Sequence, residues 1–171
     1  MKKKCFLSII LLSIFVISYT VKAYYIQNSG SYTSRIRVNA KIASNSKYET
    51  PYRNAQASWN SAYSKINWGN DNSSVSNVVV SNYPDSWFGR YSPGPIITSN
   101  KRVSIFNIYI NDRTIPASYA FRQSVIAHEM GHALNLGHTN NAYTLMSHSR
   151  NRYIVYKPTS DEINGVEKVY P

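Results

Sequence analysis

The chain has 171 residues, with 19 Lys+Arg against 8 Asp+Glu, a formal net charge of +11 and one cysteine, Cys5. That length favours one domain over two. A lone cysteine excludes a disulfide framework and a thiolate metal cage. No arginine-rich run or nucleic-acid motif marks a specific nucleic-acid partner.

Residues 1–23 predict a secretory signal peptide. Lys2, Lys3 and Lys4 form a basic start, residues 6–16 are apolar apart from small serines, and Val21-Lys22-Ala23 presents small residues for cleavage. The apolar run is short for a membrane span. The expectation is a secreted, extracellular chain of residues 24–171, a monomer by default and without stable membrane association. Removing the four lysines of the leader leaves 15 Lys+Arg against 8 Asp+Glu, a balance of +7 that reads as a solvated basic surface.

Residues 24–33 are polar and predict an extended surface segment. Across residues 35–42, Ile36, Val38, Ala40 and Ile42 alternate with Arg35, Arg37, Asn39 and Lys41, the period of a half-buried strand. Thr50-Pro51 then marks a helix start. Tyr52, Ala55, Trp59, Ala62, Tyr63 and Ile66 form its apolar face, and Trp68-Gly69 its expected end. Residues 75–81 predict a second strand, and residues 83–95, rich in Pro, Gly and aromatics, an ordered loop. Residues 105–110 predict a third strand, with Phe106, Ile108 and Ile110 on one side.

Residues 118–136 have helical content. Residues 141–152 look irregular. Thr159 and Glu162 then have capping-box spacing ahead of Ile163, Val166 and Tyr170. No internal repeat is visible. The order strand, helix, strands, helix, loop, helix indicates an α+β domain.

Three of the four histidines fall in His128-Glu-Met-Gly-His-Ala-Leu-Asn-Leu-Gly-His138. Positions i and i+4 share a helix face, so His128 and His132 can present two imidazoles to one ion. Glu129 lies beside them, able to reach a water on that ion without occupying a ligand position. Neutral imidazoles suit Zn2+ in tetrahedral geometry with one position open. A continuous helix would carry His138 about 9 Å past His132. The chain must therefore turn between them, and Asn135 and Gly137 tolerate the positive φ that a sharp turn needs.

Eight residues beyond His138 lies Met146, within Thr144-Leu145-Met146-Ser147. This combination resembles the metzincin zinc proteases, whose His-Glu-x-x-His-x-x-Gly-x-x-His run precedes a methionine-containing turn. The spacing from His138 to Met146 and the C-terminal stretch resemble the matrixin (matrix-metalloprotease-like) branch. The resemblance implies a twisted, mostly parallel sheet with an active-site helix, a Met-turn and a C-terminal helix. It implies His128, His132 and His138 as zinc ligands, Glu129 as general base, and Met146 as support beneath the metal. Protein or peptide would be the substrate, and residues 108–111 the exposed edge strand that pairs with it.

The chain departs from the family pattern in places. Asn135 stands at the family glycine. His148 stands where matrixins carry proline and two other branches carry a tyrosine that approaches the metal, which makes it a candidate extra ligand or transition-state donor. The acidic residues form no clear loop for the structural Ca2+ of matrixins. Two rival readings remain at this point: a zinc protease whose third ligand is Glu162 or Glu167, and a secreted binding protein with a structural zinc site.

Overall fold

The computed structural model describes residues 24–171 apart from residues 32, 45, 98, 100 and 101; the predicted signal peptide, residues 1–23, lies outside the described residues. The elements in chain order begin with β1 (Tyr25–Ile26), β2 (Arg35–Lys41), α1 (Glu49–Ala62), β3 (Asn67–Asn70), β4 (Asn77–Ser81) and β5 (Gly89–Pro93). They continue with β6 (Ile96–Ile97), β7 (Arg102–Val103), β8 (Phe106–Asn111), α2 (Tyr119–Ala133), β9 (Leu136–Gly137) and α3 (Ser160–Val169).

The main sheet has the order β3-β2-β4-β8-β5. Its β2–β3, β2–β4 and β4–β8 pairings are parallel, and β5 closes one edge antiparallel to β8. A mixed, mostly parallel sheet with three helices is the α+β arrangement expected. The alternation in β2 puts Ile36 and Val38 in the core while Arg35 and Lys41 stay in solvent.

Three expectations need correction. Helix α1 stops at Ala62, and Trp68 and Gly69 lie in β3, opposite Ile36 and Arg37 of β2. Tertiary packing decides this. The Trp68 ring is buried edge-to-face on Phe106, and the Asn60 side chain holds the Trp68 backbone through both its N–H and its carbonyl. Secondly, the segment read as a loop contains β5, which pairs with β8 from Gly89↔Ile110 to Pro93↔Phe106. Thirdly, residues 108–111 are therefore not an edge. Strand β8 runs between β4 and β5, with Ile108 and Ile110 fully buried.

Helix α2 is the central strut. Ser118 caps it by accepting the Phe121 N–H at 3.3 Å, and every residue from Phe121 to Ala133 is buried. A helix buried on all sides is held by the sheet and its neighbours rather than by one apolar stripe. On one flank, α1 docks through Trp59, whose indole N–H donates to Ala127 O at 3.0 Å. The N-terminal segment is extended, as expected, but paired: β1 runs antiparallel to β9, across the end of α2. Among the described residues no helix is long and apolar enough to cross a membrane.

Candidate metal centre

His128 and His132 project from the last turns of α2. The helix ends at Ala133, and Asn135 then takes a φ of 71°, the left-handed turn anticipated between the second and third histidines. The asparagine does more than tolerate that backbone. Its side-chain oxygen accepts the N–H groups of Ser29 and Gly30, both at 2.9 Å, which ties the turn to the N-terminal segment. The turn brings His138 back over α2. Its Nε2 lies 3.2 Å from that of His128 and 3.1 Å from that of His132.

The other ring nitrogens fix the tautomers. His128 Nδ1 bonds Leu145 O at 2.8 Å, and His132 Nδ1 bonds Leu136 O at 2.8 Å. Each Nδ1 must donate to its carbonyl, so each Nε2 carries a free lone pair. His138 Nε2 can donate a proton to only one of these two neighbours. A cation satisfies all three nitrogens together, with His138 Nε2 then also offering its lone pair. Tetrahedral zinc at about 2.0–2.1 Å from each nitrogen would space its ligands about 3.3 Å apart, close to the separations found. The ligand atoms of this trio all lie within 4.8 Å of one another. Burial keeps the rings neutral. It holds His132 down to about 3 and His138 to about 4, and pulls His128 well below the ordinary range.

Met146 lies against α2 at Gly131, the residue before His132, buried, its chain anchored by Thr139 N–H donating to Met146 O at 3.2 Å. Gly131 makes room for it: a Cβ there would lie 2.4 Å from the methionine sulfur and 3.2 Å from Trp59. Glu129 flanks the trio on the cleft side. Burial pushes its carboxyl up to about 8, against the pull of Arg150, a hydrogen bond from the Tyr91 backbone N–H, and Arg152. Strand β5 packs directly on this carboxylate, since a Cβ on Gly89 would lie 2.6 Å from Glu129 Oε1.

The sequence profile of the matrixins matches residues 25–171. The chain belongs to the matrixin family. No curated protein matches it by sequence. Its fold is similar to a chain of a solved structure described as the GM1-bound form of the ECX AB5 holotoxin, at 18% identity, with a TM-score of 0.52, covering 82% of this chain and 78% of that one. At that identity the likeness concerns fold alone.

In this matrixin the rival third ligands are placed elsewhere. Glu162 is fully buried, but its Oε1 accepts the Met146 N–H at 3.0 Å and its Oε2 accepts the backbone N–H and hydroxyl of Thr159 at 2.9 and 2.6 Å. Its carboxylate closes the capping box of α3 and braces the segment bearing Met146. Glu167 is exposed on α3. His148 stands outside the ligand trio; its ring lies against His138, centroids 3.7 Å apart, at the exposed rim of the cleft. Among the described residues the acidic side chains gather into no calcium cage.

Three residues at the site had no sequence signal. Tyr91 lies in a strand disguised by Gly89 and Pro93. Arg150 and Arg152 lie in a polar stretch that looks solvent-facing, yet Arg150 is 3% exposed and both arginines line the cleft beside Glu129.

Proposed function

We propose that this matrixin is a secreted zinc-dependent endopeptidase. The convergence of the His128 and His132 Nε2 atoms on that of His138, at 3.2 and 3.1 Å, with a buried carboxylate beside them, carries the reading. Zinc bound there would supply a water acidified from about 15.7 towards 7 and a Lewis acid for the substrate carbonyl.

The chain's own groups do the rest. Glu129 takes the proton from the attacking water on its carboxylate and passes it to the leaving amine nitrogen. A carboxyl that burial raises towards neutrality is suited to both halves of that transfer. The Tyr91 N–H orients it, and the Nδ1 bonds to Leu136 O and Leu145 O hold the two helical imidazoles in register. Met146, seated against Gly131, supports the histidines from below in the manner of a Met-turn. The outer edge of β5, without a strand partner among the described residues and running past Glu129, receives an extended substrate by strand addition. His148, at the rim, donates to the oxygen that becomes negative as the carbonyl is attacked.

A purely structural zinc site has no use for the buried Glu129 carboxylate, whose desolvation costs stability. Secretion follows from the leader at residues 1–23, with the mature chain beginning at Tyr24. The test is Glu129→Ala. Zinc content should stay at the wild-type level while casein cleavage falls by roughly 10²-fold or more. Retained cleavage would remove the role given to Glu129.

A further inference from the structure

The cleft that holds the three histidines has a volume of about 520 Å³ and extends past Glu129 along Val125 to Arg150 and Arg152. Arg150 is anchored one helical turn from His128. Its Nε donates to Ser124 Oγ at 3.0 Å, its Nη2 to Ser124 O at 3.2 Å and its Nη1 to Ser147 O at 2.7 Å. Those bonds use three of its five N–H groups. Arg152 lies over the faces of Phe88 and Phe121, 5.0 and 5.7 Å from their centroids, and gives one bond to His148 O at 3.2 Å. Its Nε is buried with no acceptor.

Among the described residues, neither guanidinium has a carboxylate within 4.0 Å. Arg90 lines the same cleft, so its lining holds three arginines and one carboxylate, Glu129. A buried cation without a counterion is costly, and proteins ordinarily pair it. Here Glu129 and Glu162 act on Arg150, and Glu129 on Arg152, only from beyond ion-pair distance, and both guanidiniums border the space a substrate must enter. A guanidinium with spare N–H groups in a fixed fork matches a carboxylate better than any neutral side chain.

We propose that this part of the cleft is a specificity site for an acidic side chain, Asp or Glu, on a substrate residue adjoining the scissile bond, its carboxylate received by Arg150 and Arg152. The position follows from the anchor: Ser124 is one turn before His128 on α2, within a side chain's length of the reacting carbonyl. The inference rests on the endopeptidase reading. The basic balance of the chain would steer acidic peptides towards the cleft.

The zinc-reconstituted chain of residues 24–171 is first given a diverse peptide library, and its cuts are mapped by mass spectrometry. Fluorogenic peptides built on the best cut are then compared with Glu, Gln, Leu or Lys at each residue adjoining the bond. At one of these positions kcat/KM for Glu should exceed that for Gln by roughly tenfold or more. In Arg152→Gln that ratio should fall by roughly threefold or more; the wild-type ratio decides even if this variant folds poorly. Equal rates for Glu and Gln, or a preference for Leu or Lys at every position, overturn the acidic site and leave the peptidase reading standing. No cleavage of any peptide by zinc-loaded protein overturns both.

Discussion

The side-chain oxygen of Asn135 accepts the Gly30 N–H at 2.9 Å, and a Cβ on residue 30 would lie 2.3 Å from the Asn135 backbone nitrogen. The two residues are matched. The left-handed asparagine that turns the chain towards His138 also grips the N-terminal segment, and glycine is the residue that lets the segment come close enough.

Asn135→Gly should keep the turn but lose both side-chain bonds to Ser29 and Gly30, at about 1–3 kcal/mol. Asn135→Ala should cost about 1–2 kcal/mol more, because alanine pays for the positive φ. Urea unfolding of the zinc-loaded variants would measure both. Variants as stable as wild type would show that the grip contributes nothing.

Gly131 is the second close approach. Gly131→Ala drives a methyl group towards the Met146 sulfur, backed by Trp59, in a region with no slack. Overpacking of this kind costs about 1–3 kcal/mol. It should also displace the floor beneath the histidines, so zinc affinity falls along with the unfolding midpoint. Zinc titration against a competing chelator gives the affinity. An unchanged zinc affinity would detach Met146 from the support of the metal site.

Acid sensitivity of the metal-free domain follows from the signs of the shifts. His132 and His138 are held to about 3 and 4 in the fold, against 6.5 in the unfolded chain, and His128 is lowered too. Between about pH 6.5 and 4 the unfolded chain binds protons that the fold refuses, so stability falls as pH falls. Glu129 has the opposite sign. Its folded value of about 8 against 4.5 means the fold holds the extra proton between these limits, and stability falls as pH rises through them. Three histidines outweigh one glutamate on the acid side, and between about pH 6.5 and 8 the glutamate is the shifted group that titrates. The chelator-treated domain should therefore be most stable between about pH 6 and 7. Urea midpoints at pH 5, 6.5 and 8 test this, and a midpoint higher at pH 5 than at pH 6.5 would contradict it.

What was legible in the sequence was local. The alternation from Arg35 to Lys41, the spacing from His128 to His138, and the Thr159–Glu162 capping box each depend on neighbours a few residues away. What escaped was decided at long range. Gly89-Arg-Tyr-Ser-Pro93 has neither strand propensity nor alternation; it is a strand because β8 offers a free edge. Trp68 looked like the end of a helix because the partner that draws it into β3, Ile36, is 32 residues away. Arg150 looked like surface because no local pattern announces a guanidinium folded under a helix and held by Ser124 and Ser147. Glu162 was visible as a helix cap, but the bond it accepts from Met146 N–H was not.

The most direct test of the metal centre is the zinc content per chain, by inductively coupled plasma mass spectrometry, of purified wild type, His138→Ala and Glu162→Gln. One zinc per wild-type chain, a large loss in His138→Ala and full retention in folded Glu162→Gln are the predicted results. A wild-type chain without stoichiometric zinc, or a His138→Ala variant that keeps it, would contradict the three-imidazole site.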